Sequence, residues 1–293
     1  MAYSHILVGA STTPARPVIL RLAGSDLFQA LARGFDDFSA MPSHAVFLCV
    51  IYPLLGLSLI AMTLGYSMPL AFPLAAGFAL LGPLAAIGLY ELSRRREAGL
   101  DCSAAHALDV LHSRSLAAIM ALGLLLMAIF LIWLTVAEAI YIANFGYAAP
   151  ASIRQFADEV FTTPAGWKLI IVGTSVGFLF AVLTLTISAV SFPVLLDRDV
   201  GAAVALLTSI RVVAANPVTM GLWGLIVTAL LVIGLVPFFL GLTVVFPVLG
   251  HATWHLYRKA VEPNPDPHPD YQPRQKNDRS AADFPAVLFP TRR

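Results

Sequence analysis

"PVTMGLWGLIVTALLVIGLVPFFLGLTVVFPVLGHATWHLY" spans residues 217–257 without one Asp, Glu, Lys or Arg. A bilayer core about 30 Å thick is crossed by roughly 20 helical residues, so the run is too long for one crossing and suits two. The turn between them falls at "GLVPFFLG", residues 234–241, where Pro237 and Gly241 favour a break. Reading this stretch as a hairpin decides the number of spans, and with it the fold.

The rest of the chain is consistent with lipid as the main solvent. Of 293 residues, 58% are hydrophobic and 12% charged, against about 25% charged in a soluble domain. Six spans follow, at about 44–64, 70–92, 116–142, 169–193, 217–236 and 238–257. Sixteen of the eighteen Lys and Arg residues then lie on one side, leaving Arg154 and Lys168 on the other. Basic residues are retained on the cytoplasmic face, so both termini are expected there. An odd number of spans would destroy that asymmetry. The first twenty residues lack the charged leader, apolar stretch and small-residue cleavage site of a secretory signal, so the first span is expected to act as the insertion signal. Cys49 and Cys102 fall on the reducing side, where a disulfide is not expected.

Three segments before odd-numbered spans share a pattern. "SDLFQALARGFDDFSAMP" (25–42) puts Leu27, Phe28, Leu31, Phe35 and Phe38 on one helical face and Arg33, Asp36 and Asp37 elsewhere. "CSAAHALDVLHSRS" (102–115) and "VGAAVALLTSIRVVAANP" (200–217) have similar character, and each of the three holds an Ala-Leu pair. Pro42 and Pro217 follow that leucine at the same spacing, suited to the first turn of the next span. The even-numbered spans carry Pro83, Pro193 and Pro247 near their inner halves. The expected fold is an all-α membrane protein of six transmembrane helices, in three tandem units of interfacial amphipathic helix plus membrane hairpin.

The domain reading is an N-terminal tail at 1–20, a membrane domain at 21–260 and a disordered cytoplasmic tail at 261–293. That last segment holds seven of the chain's twenty prolines and too little apolar surface to fold alone. In the outer loop 143–168, "PASIRQFADEVF" is expected to form a short surface helix with Ile153, Phe156, Val160 and Phe161 toward lipid.

"SFPVLLDRDVGAAVALLTSIRVVAANPVTMGLWGLIV" (191–227) and "FPVLGHATWHLYRKAV" (246–261) are similar to the C-terminal half of a family of uncharacterised bacterial integral-membrane proteins, a domain of unknown function. The resemblance covers most of residues 20–260. Some members are labelled cytochrome c oxidase subunit I-like. It implies an inner-membrane protein and carries over no catalytic residue.

Three groups of residues are candidates for chemistry. Glu138 is the one carboxylate well inside a predicted span, and mid-bilayer charge costs about 2.5–3.5 kcal/mol. It lies 24 residues beyond Arg114, roughly 36 Å along a helix, which reaches the outer interface. An interfacial anchor is therefore favoured over a proton or substrate role, or a packing hydrogen bond. His251 and His255 are four apart near the basic end of the last predicted span, beside Trp254, Tyr257, Arg258 and Lys259. That company suits an aromatic and basic belt or a structural hydrogen bond, and "HATWH" lacks the glutamate of the zinc-protease pattern. His44, His106 and His112 are expected at the same level, which keeps a metal or haem site as the sharper alternative. Arg94, Arg95 and Arg96 are candidates for lipid-headgroup contacts or topology determinants.

No phosphate-binding glycine motif, paired-cysteine motif or nucleophile elbow is present. No cofactor and no enzymatic activity are expected, and a net charge of +1 gives no reason to expect nucleic acid. The expected partners are the bilayer and a membrane protein. The expected role is a non-enzymatic accessory, assembly or lipid-interacting factor of the bacterial inner membrane. A small-solute permease and a haem- or metal-binding redox-associated subunit are the alternatives.

Overall fold

The computed structural model describes residues 17–41, 70–147, 150, 152–198, 200–235 and 240–263. Its named elements are all helical: α1 (Gly24–Ala40), α2 (Ala71–Phe78), α3 (Gly82–Ala85), α4 (Ile87–Glu97), α5 (Leu116–Phe145), α6 (Ile153–Thr162), α7 (Pro164–Ser188), α8 (Ser191–Asp197), α9 (Ala202–Ala215), α10 (Pro217–Leu235) and α11 (Leu242–Ala260). Tight 3-10 turns occupy Ala79–Leu81 and Ala104–His112. Local chemistry places several boundaries. Pro164 and Pro217 open α7 and α10, where a missing N–H costs nothing. The hydroxyls of Ser152 and Thr163 accept from the Gln155 and Gly166 amides and cap α6 and α7. Pro83 stands in the first turn of α3 and Pro193 early in α8, so both interrupt their spans. Pro247 lies inside α11 without ending it.

Four helical stretches are long and apolar enough to cross a membrane: Pro73–Glu97, Leu116–Phe145, Pro164–Asp197 and Pro217–Leu235. The predicted span 44–64 lies outside the described residues. The predicted span 238–257 corresponds to α11, which is not one of the four. Its second half carries His251, Thr253, His255, Arg258 and Lys259 and is buried in protein. The break in the 217–257 run does fall between helices, after Leu235 and before Leu242. Gly234 and Gly241 make the hairpin tight, because a Cβ on Gly241 would lie 2.8 Å from the Gly234 Cα.

The spans and the core occupy different parts of the molecule. Only 11% of the most apolar stretch of Pro164–Asp197 and 17% of that of Pro217–Leu235 is buried. Trp133 on α5 is the main anchor between spans. It fits against Gly77 of α2 and Gly177 of α7 and donates from Nε1 to the Pro73 carbonyl at 2.8 Å. The densest core lies at the basic end, where Tyr90, Leu92, Phe192, Leu195, Leu196, Trp254, Leu256 and Tyr257 are almost wholly buried. There α4, α8 and α11 contact one another. Outside them α1 packs on α11, the 3-10 turn 104–112 on α4, and α9 on α8.

The face that α1 buries matches the predicted apolar one only in part: Leu31 and Phe38 pack against the core beside Leu27. Leu27, Ala30, Gly34 and Asp37 are buried, while Phe28 and Phe35 are exposed. Small residues explain the rotation. A Cβ on Gly34 would lie 2.7 Å from the Ala252 Cβ, so the helices meet at nearly backbone distance. The segments before α1 and after α11 join the same assembly: Leu20 donates to the Ala260 carbonyl at 2.9 Å and Glu262 to the Val18 carbonyl at 3.0 Å. Residues 18–20 and 261–262 therefore belong to the folded body, and the predicted tails beyond Arg16 and Pro263 lie outside the described residues. The surface helix expected in the outer loop is α6, with Phe156 against Tyr141 and Phe145 and Phe161 exposed.

Candidate functional site

Spacing of four puts His251 and His255 on one face of α11, and that face meets α1 and α4. Asp37 comes from α1, and Ser93 and Arg96 from α4. The Asp37 Oδ2 accepts the Ser93 hydroxyl at 2.6 Å and lies 2.8 Å from His255 Nε2. Its Oδ1 accepts the Arg96 guanidinium. Ser93 Oγ also lies 2.7 Å from His251 Nδ1. All five groups thus form one connected network, and all but Arg96 are buried.

Burial by itself raises the Asp37 carboxyl, but hydrogen bonds from His255, Ser93 and Arg96 outweigh it. The carboxyl is held below its ordinary range. An ionised Asp37 fixes the protons around it. His255 donates from Nε2 to the carboxylate. Ser93 donates its single proton there too, so its oxygen can only accept from His251 Nδ1. The remaining ring nitrogens, His251 Nε2 and His255 Nδ1, are buried without a hydrogen-bond partner.

A second shell of polar contacts ties α11 to three other helices. Trp254 Nε1 donates to Glu97 at 2.9 Å, and Arg258 lies 3.1 Å from the same carboxylate. The Tyr257 hydroxyl donates to Asp197 at 2.6 Å and accepts from Arg198 at 3.3 Å. Lys259 reaches Asp26 at 2.9 Å and Gln29 at 2.7 Å. The lysine bond is the largest influence lowering the Asp26 carboxyl.

This geometry corrects one expectation. Trp254, Tyr257, His251 and His255 do not form a belt at a water interface, since all four are buried among α1, α4, α8 and α11. The His255 ring is oriented by Asp37, 218 residues away. The arginine triplet is also engaged by protein. Arg94 makes two 2.8 Å bonds to the buried Glu91, Arg95 lies 3.1 Å from Asp109, and Arg96 pairs with Asp37.

The other candidates lie apart. His106 sits between Asp109 at 2.7 Å and Asp101 at 3.1 Å, away from the α11 histidines. His112 is exposed at the end of the 3-10 turn, and His44 lies outside the described residues. Among the described residues no three His, Cys, Asp or Glu side chains are grouped to hold a metal ion. Glu138 is exposed on α5, seven residues before the helix ends. Asp37 and Ser93 were missed as site residues. The usable signal was the i, i+3, i+7, i+10 series Leu27, Ala30, Gly34, Asp37, a narrow small-residue face that ends on a carboxylate.

Known proteins bear on one part of this arrangement. Residues 71–197 match DUF2189, described as a predicted integral membrane protein. The match agrees with the resemblance read from the sequence and covers less than half of the chain. It spans α2 to α8, so DUF2189 takes in Ser93 and Arg96 but neither Asp37 nor the two histidines. The cytochrome c oxidase label gains nothing from it. No curated protein and no solved structure matches the chain.

Proposed function

We propose that this protein is a non-enzymatic accessory, assembly or lipid-interacting factor of the bacterial inner membrane, with six spans and both termini cytoplasmic. One observation carries the reading: the molecule is tightly held at its basic end and leaves long apolar helices open along the spans. Phe178, Leu179 and Ile171 on α7 and Leu225, Val232 and Ile233 on α10 are all exposed. A surface of this kind suits lipid or the spans of another protein. The polar groups at the core are turned toward one another, an arrangement that fixes helix positions. Three tandem units are supported by the contacts of α1 with α11, the 3-10 turn with α4, and α9 with α8. Each pairs an interfacial segment with the inner end of an even-numbered span.

A photo-crosslinker at Leu179, used in native membranes, tests the proposal. A discrete adduct with another membrane protein, or with lipid, is the expected result. Solute uptake by the purified protein in vesicles would replace this reading with the permease. A Soret band or a stoichiometric metal in the purified protein would replace it with the redox-associated subunit.

A further inference from the structure

The repeat register isolates the residues that packing does not require. Seven residues after Pro83 and Pro247 stand the buried aromatics Tyr90 and Trp254, and nine after them the fully buried Leu92 and Leu256. In that register His251 occupies the place of Ile87, which is 7% exposed. Asp37 follows Leu31 by six residues, as Val212 follows Leu206, and Val212 is 0% exposed. The places matching His251 and Asp37 are thus filled by aliphatic side chains, whereas the place matching His255 holds the fully buried Glu91. Burying ionisable groups is costly relative to such a core, so the network at α1, α4 and α11 needs a reason beyond packing.

Its proton count supplies one. Asp37 and Arg96 offset each other, and each histidine needs a single proton to complete the observed bonds. Imidazoles in water take a second proton near pH 6.5. Here that proton would sit on His251 Nε2 or His255 Nδ1, both buried without a hydrogen-bond partner. The new positive charge would face Arg96, with the Leu89 carbonyl beside the His251 ring. The other charged groups around the site are already engaged: Glu97 with Trp254 and Arg258, Asp197 with Tyr257, Asp26 with Lys259, and Glu91 with Arg94. The His251 ring has the Leu89 carbonyl to bond, so the missing partner is that of His255 Nδ1, which water supplies only if the helices part.

We propose that the Asp37–Ser93–His251–His255 cluster is a proton-binding site whose loading releases α1 from α11 and α4. Amide exchange of the full chain in lipid nanodiscs reads this directly, with rates corrected for the intrinsic effect of pH. Between pH 7.5 and pH 5 the wild-type α1 is expected to lose at least tenfold protection while the middle of α5 keeps its own. A variant with His251→Ile, the residue of the matching register, and His255→Gln, which still donates to Asp37, should hold α1 protection constant across that range. Unchanged protection of wild-type α1 overturns the proposal, whatever the variant does. Equal loss in wild type and variant overturns it too. Should the double variant fail to fold, His251→Gln alone is expected to reduce the loss, and a full loss there counts against the site. The measurement does not depend on which partner the spans meet.

Discussion

Replacing Gly34 by Ala adds one methyl group where α1 and α11 are closest. The new Cβ would lie 2.6 Å from the Ala252 amide nitrogen, 2.7 Å from its Cβ and 2.7 Å from the Val248 carbonyl oxygen. Two of those atoms are α11 backbone, so no side-chain rotation relieves the clash. Restoring carbon contacts of about 3.5–4.0 Å requires the helices to part by roughly 1 Å. That movement stretches the 2.8 Å contact of His255 with Asp37 and the 2.9 Å contact of Lys259 with Asp26. Overpacking costs about 1–3 kcal/mol and a hydrogen bond to a charged group about 1.5–3, while the better helix former returns about 1. A net loss of about 2–4 kcal/mol lowers the melting temperature by roughly 5–10 °C in a chain of this size. Thermal unfolding of detergent-purified protein, followed by tryptophan fluorescence, measures it. Gly24→Ala is the control, since a Cβ there meets nothing within 4 Å. A Gly34→Ala protein as stable as wild type would refute the close crossing of α1 over α11.

Other outcomes follow from the same contacts. Asp37→Asn weakens the bonds from His255 and Ser93 and leaves the exposed Arg96 to water, and should destabilise by about 1.5–3 kcal/mol, the usual worth of a hydrogen bond to a charged group; denaturant or thermal titration checks this. Because the Asp37 carboxyl is held low in the folded state, its contribution is present above the unfolded value near 3.9 and is lost as pH falls through the folded one. Melting temperature should therefore drop below about pH 4 in wild type, and that part of the drop should be missing in Asp37→Asn. Reporter fusions after Ile142 and after Lys259 should report opposite sides of the membrane, and agreement between them would sink the six-span topology.

Much of the fold was legible because lipid imposes a simple rule. Long uncharged runs have to be helices, and the hairpin break in 217–257, the surface helix at 153–162 and the helices before spans follow from length, proline and periodicity. The face of α1 followed only in part, through Leu27, Leu31 and Phe38. Its hydrophobic pattern favours Phe28 and Phe35, whereas the observed contact uses Ala30 and Gly34, where absence of side chain matters more than apolarity. The site was half legible for the same reason. His251 and His255 are conspicuous at helical spacing, but their partner sits in the first helix, and nothing local to "HATWH" points to it. The partners of the three consecutive arginines were not legible either, because Asp109 and Asp37 are distant in sequence.

The location of the polar network follows from where helices need help to associate. Inside a bilayer, apolar surface gains little by meeting another helix, so close contacts and polar bonds decide which helices pair. Both devices recur here at definite points. Small residues meet where Gly34 faces Ala252 and where a Cβ on Gly88 would lie 3.1 Å from that of Ala107. Trp133 fits the space left by Gly77 and Gly177. Between these points the spans carry leucine, valine and isoleucine outward, while bonds from Asp37, Glu97, Asp197 and Asp26 converge on α11. One helix thus fixes the positions of three others through side chains at its last two turns. That concentration makes the basic end the part of the molecule where a single proton or a single methyl group has the most leverage over the whole.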